Sequence, residues 1–167
     1  MAGISWRKRS VVLLLMMGWA GWISAESVLE RIVLRQAIVL GYTVASPPMS
    51  YLGPDKQPIG YTVDLCRAIA KRVGTHLGRP DLDVRFLRIE LDTRARLVKD
   101  GSIDLVCNGT SNTAERQGDF GFSPTVYVTA TRLVTKASSP AQTLEDLRGN
   151  QVAVSFGSTA QQTRSAI

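Results

Sequence analysis

The run Cys107-Asn108-Gly109-Thr110-Ser111-Asn112-Thr113-Ala114-Glu115-Arg116 concentrates hydrogen-bonding groups between a strand-like segment and a helix-like one. Gly109 lets a backbone approach a ligand closely, Ser111 adds a hydroxyl, and a helix opening here offers unpaired N–H donors with partial positive charge. Asn112 and Glu115 have capping-box spacing, which predicts a fixed helix start. Arg116, one step inside, is the residue type that grips a carboxylate through two parallel N–H···O bonds. A second such segment follows, in which Val152-Ala153-Val154-Ser155 runs into Phe156-Gly157-Ser158-Thr159 and then the helix-like Ala160-Gln161-Gln162-Thr163. Two donor-rich helix starts on facing lobes form a clamp for a small zwitterion or anion. Taken singly, each is equally an ordinary βα turn, the first carrying a surface arginine.

Other chemistries have less to stand on. The only histidine, His76, lies in Gly74-Thr75-His76-Leu77-Gly78 and reads as a solvated loop residue, and no Ser/His/Asp triad is evident. Cys66 and Cys107 are isolated from other ligands and lack the close paired spacing of zinc sites, so no metal and no cofactor is expected. Half of the net charge of +6 comes from Arg7, Lys8 and Arg9. The remaining basic residues are scattered among acids, with no stripe interleaved with aromatics to mark a nucleic-acid surface.

Those three charges precede an apolar run from Val11 to Ile23, and Ala25 offers a cleavage point. Residues 1–25 therefore read as a cleaved secretory signal, the run being shorter than the ~20 residues of a bilayer span. Export permits a disulfide that the cytosol would reduce. Cys66 on the inner face of a helix and Cys107 at the end of the strand beneath it are expected to pair, against the alternative of two buried free thiols.

The elements that position these groups follow from the pattern. Residues 26–36 carry Leu29, Ile32 and Val33 at helical spacing, and Ala37-Ile38-Val39-Leu40-Gly41 reads as a buried strand. Ser46-Pro47-Pro48 and Gly53-Pro54-Asp55-Lys56 predict a loop or hairpin. Residues 63–73 form an amphipathic helix that Gly74 is expected to end. A strand over 83–87, a helix capped by Asp92 with Ala95 and Val98 inward, and a strand over 103–107 follow. Residues 126–135 are β-rich and long enough to cross between lobes, Thr143 caps a short helix, and Val152-Ala153-Val154 starts a further strand. Alternating strands and helices imply an α/β layer structure with a largely parallel sheet.

Five motifs carry a resemblance: Ile59-Gly60-Tyr61-Thr62-Val63-Asp64-Leu65-Cys66, Gly101-Ser102-Ile103-Asp104-Leu105, Thr113-Ala114-Glu115-Arg116-Gln117, Phe122-Ser123-Pro124-Thr125 and Thr131-Arg132-Leu133-Val134-Thr135-Lys136. In order and spacing, residues 37–160 resemble the polar amino-acid solute-binding family of ABC importers, nearest the glutamate/aspartate-binding branch. The resemblance implies a type II periplasmic-binding-protein-like fold. Arg116 would hold the ligand α-carboxylate, Gly109 and Ser111 its amino and carboxylate groups from lobe one, with Asn108 beside them. Ser158 and Thr159 would be the counterparts from lobe two. The acidic-ligand branch usually has arginine at the position of Thr43, and many members sandwich the ligand between aromatics at the positions of Ser46 and Leu91. This chain departs from the pattern at all three.

On this reading residues 26–131 form lobe one, and residues 132–167 form the hinge and the start of a second lobe that the chain is expected not to complete. The expected protein is a periplasmic monomer that binds an acidic or polar amino acid and delivers it to a membrane permease, without turnover. With half a clamp, the chain as it stands is expected to bind weakly. Two alternatives share the pocket: a dehydratase-like periplasmic enzyme on the same fold, and the ligand-sensing module of a receptor.

Overall fold

The computed structural model describes residues 27–130, 132–143 and 145–164. The expected signal segment lies outside the described residues. Helix α1 (Val28–Arg35) begins where Ser27 and Glu30 form a capping box, each side chain accepting from the other's backbone N–H, at 3.2 and 2.7 Å. It ends at Gln36 in the left-handed region, φ 54°. Strand β1 (Ala37–Tyr42) follows at once. It is apolar because it is the central strand of a parallel sheet, flanked by β5 (Asp83–Arg88) and β6 (Leu105–Cys107).

Three short antiparallel strands, β2 (Ala45–Ser46), β3 (Ser50–Leu52) and β4 (Pro58–Ile59), make a second small sheet. Ser46 therefore joins a ladder, pairing with Ser50 across the Pro47–Pro48 turn, where the sequence had suggested a loop or hairpin. Helix α2 (Tyr61–His76) packs on the main sheet, its inner positions Val63, Cys66 and Ala70 meeting Ile38, Leu40 and Cys107 in the core. Cys66 and Cys107 are joined by a disulfide, their Cα atoms 6.0 Å apart. This bond ties the helix to the strand that leads into the donor-rich loop.

Two boundaries differ from the sequence reading. Gly74 does not end α2; it lies inside the helix, where a Cβ would stand 2.6 Å from the Arg79 carbonyl oxygen, and the chain turns away at Gly78, φ 68°, with the Arg79 N–H on the Gly74 carbonyl at 2.7 Å. His76 is consequently in the last helical turn, exposed, and not in a loop. Helix α3 (Arg94–Lys99) starts at Thr93, which makes no side-chain cap bond, so Asp92 is not the cap.

The largest departure is downstream. Residues 126–130 and 132–135 form no ladder despite their β-rich composition, and Val128 and Val134 are 85% and 91% exposed. Residues 152–154 likewise form no strand. β propensity is realised only against a neighbouring strand, and neither segment has one among the described residues. Helix α4 (Ala114–Gln117), a 3-10 turn (Glu145–Leu147) and α5 (Thr159–Arg164) complete the described elements.

Candidate functional site

All three parallel strands deliver their C-terminal ends to one edge of the sheet, and the loop after β6 carries the donor-rich run. Ligands of α/β sheets bind at such an edge. The crossover helix α2 runs back the other way, which leaves His76 at the opposite edge.

Helix α4 is capped by Thr113, whose hydroxyl accepts from the Arg116 N–H at 3.4 Å. Asn112 is therefore not the cap; its side-chain Oδ1 accepts from Gln117 Nε2 at 2.8 Å, and Glu115 accepts from Gln162 Nε2 at 2.6 Å instead of reaching back. The shift by one residue turns Arg116 inward, and it is only 9% exposed. Its Nη1 donates to the Ser111 carbonyl at 3.2 Å and its Nη2 to the Gly157 carbonyl at 3.0 Å.

A second guanidinium reaches the same oxygen. Arg94, 5% exposed, donates from Nη2 to the Gly157 carbonyl at 3.3 Å. Burial holds the Arg94 guanidinium below the ordinary arginine range, the Arg116 charge adds to this, and Asp92 opposes it. Neither arginine forms an ion pair among the described residues. Two buried cations sharing one neutral oxygen make a place suited to a carboxylate.

The sequence reading missed Arg94. One signal was available: it is the first residue of a helix, where the macrodipole disfavours a cation, so something other than helix stability accounts for it.

The other candidates are spread around this pair. Ser111 is brought to Arg116 through its carbonyl. Leu91 backs Gly157, where an added Cβ would lie 3.5 Å from the Leu91 Cβ. Ser158 turns its hydroxyl onto the Ser155 carbonyl at 2.6 Å, and Thr159 opens α5. Asn108 is buried next to Cys107; its side-chain oxygen accepts from the Thr110 hydroxyl, and its Nδ2 is buried with no hydrogen-bond partner among the described residues. Gly109 is exposed, with Met49 Cγ 3.6 Å from where a Cβ would be, so no packing within the chain demands glycine there. Thr43 is buried and bound to Ser50, which donates its hydroxyl to the Thr43 carbonyl and accepts the Thr43 N–H, both at 3.0 Å. Ser46 is committed to β2, its carbonyl accepting from Met49 N–H at 2.9 Å.

A parallel α/β half-domain with a cationic site at its strand ends is the architecture of type II periplasmic-binding-protein-like amino-acid binders. A solved structure of an ABC uptake transporter substrate-binding protein from Streptococcus pneumoniae with bound histidine is similar, with a TM-score of 0.51 and 25% identity, over 60% of this chain and 38% of that one. Residues 38–164 match the model of the bacterial extracellular solute-binding proteins, family 3, and the chain belongs to that family. It is 35% identical to the glutamate/aspartate import solute-binding protein of Salmonella typhimurium over 93% of this chain and 54% of that protein. It is also 35% identical to the L-glutamate/L-aspartate-binding protein of Pseudomonas aeruginosa over 83% and 46%. The chain spans about half the length of the curated relatives it matches. Among the described residues no helix is long and apolar enough to cross a membrane.

Proposed function

We propose that the chain is part of a periplasmic binding protein, exported through a cleaved signal, that takes up an acidic or polar amino acid and hands it to the permease of an ABC importer. Arg116 is the carboxylate anchor. Gly109, Ser111 and Asn108 stand beside it on the first lobe, residues 26–131, and Ser158 and Thr159 belong to the second, which begins within residues 132–167. The observation that carries this reading is the convergence of Arg116 and Arg94 on one oxygen at 3.0 and 3.3 Å. Two guanidinium groups on one oxygen suit a single carboxylate held from two sides. The names of the Salmonella and Pseudomonas relatives point to an amino acid with a second carboxylate.

Binding is without turnover, and the protein acts as a monomer. The Salmonella and Pseudomonas relatives, named as solute-binding and binding proteins, support the reading without turnover.

Calorimetric titration of the purified chain with L-glutamate, L-aspartate, L-glutamine, L-arginine and L-histidine tests the proposal. The two dicarboxylates should bind tightest, and Arg116→Ala should abolish their heat. Equal or stronger binding of the cationic amino acids would contradict it.

A further inference from the structure

We propose that the turn at Gly157 is an internal occupant of the anion site, its backbone carbonyl standing where a ligand carboxylate oxygen would bind, so that ligand must displace it. This rests on the binding reading above and adds to it a competitor built into the same chain.

Four observations carry it. The Gly157 oxygen collects one N–H from each guanidinium, which is what a carboxylate oxygen between two arginines would do. The turn is closed on itself and tied to α4: the Gly157 N–H donates to Gln161 Oε1 at 2.8 Å within the same segment, and Gln162 Nε2 donates to Glu115 Oε2 at 2.6 Å, beside Arg116. Gly157 has φ 71°, a left-handed conformation that side chains rarely adopt, and a Cβ would lie 3.4 Å from the Asp92 N and the Leu91 carbonyl carbon. The fit is therefore specific to glycine. Finally, the occupant is neutral. The bonds it receives are already assisted by the guanidinium charges, but a carboxylate adds a full negative charge between two cations and can take two parallel N–H bonds from one of them, so a ligand anion binds there more strongly than the carbonyl.

The consequence is a weakened apparent affinity. When only a fraction of molecules has the site open, the apparent dissociation constant rises by the inverse of that fraction; a turn docked nine-tenths of the time weakens binding about tenfold.

Two substitutions release the turn from opposite sides: Gly157→Val forbids its backbone conformation, and Gln162→Ala removes the clasp to Glu115 without touching either arginine. In the full chain without ligand, both should raise amide exchange at Gly157 and Gln161 and shift the Arg116 Nε–H resonance. Titrated with L-glutamate, both should bind about tenfold tighter than the parent. Unchanged exchange and an unmoved Arg116 resonance would show that the turn does not dock, and would overturn the proposal. So would equal or weaker glutamate binding in both variants, with the amino-acid-binding reading left standing. No binding of any amino acid by parent or variants would overturn that reading, and the occlusion with it.

Discussion

In the candidate site two guanidinium groups meet, and on the proposed function their geometry counts for more than their charge. Arg116 spends Nη1 on the Ser111 carbonyl, which fixes the plane of the group, and presents Nη2 to the site. Lysine would keep the charge and lose this fork. Arg116→Lys should therefore bind L-glutamate at least tenfold more weakly while unfolding at an unchanged urea midpoint, and retained affinity would mean that a point charge suffices. Arg116 was legible in the sequence because a carboxylate-binding residue type stood one step inside a helix after Gly109 and Ser111. Arg94 was not. Its helix is six residues long, too short for a periodic pattern to show which face is buried, and Ala95 and Val98 drew attention to the ordinary apolar face. Thr43 was legible as a departure, but its partner was not: only the fold brings Ser50 onto it, tying the residue after β1 to a strand of the small sheet.

At the scale of elements, legibility followed whether an element carries its own reason to form. Strand β1 did, being wholly apolar and bounded by a left-handed Gln36 and by Thr43. Helix α2 did over its whole length, and its end is local as well: Gly78, φ 68°, follows the last turn, and the Arg79 and Gly78 N–H groups close back on the Gly74 and Thr75 carbonyls at 2.7 and 3.1 Å, so the stop was the second glycine of the run and not Gly74. Residues 126–135 had composition without a partner. Helix α1 also has a local determinant, the reciprocal Ser27–Glu30 bonds, and these hold the Glu30 carboxyl below the ordinary glutamate range, the backbone bond from Ser27 contributing most. Because the folded group is the stronger acid, its contribution is present above the unfolded pKa and is lost as pH falls through the folded one. Acidification below the usual glutamate range should fray the first turn of α1. Backbone amide shifts of residues 27–31 report this, and Glu30→Gln, which keeps a capping acceptor that does not titrate, should flatten the response. An unaltered titration in that variant would assign the pH dependence elsewhere. The anchor on the other side of α1 is Asp104, whose side chain is 1% exposed and accepts from Arg31, Arg35 and the Val39 N–H. It joins the helix, β1 and the lead into β6.

For the molecule as a whole, the described core is one parallel sheet with α2 stapled to it. The Cys66–Cys107 bond spans 41 residues of sequence, and a loop of that size closed in the unfolded chain is worth about 4 kcal/mol. Urea unfolding with and without reductant should differ by about that amount, and coincident curves would mean that the bond adds no stability. The same bond holds the end of β6, and so the start of the loop to Arg116, which makes site geometry and stability one property. On the proposed function, an amino-acid carboxylate binds at Arg116 where the Gly157 carbonyl now stands. A crystal structure of the chain grown with L-glutamate tests it most directly. A ligand carboxylate oxygen should lie within about 3 Å of Arg116 Nη2, with the Gly157 carbonyl moved off. Glutamate bound elsewhere, with Arg116 still donating to Gly157, would contradict it.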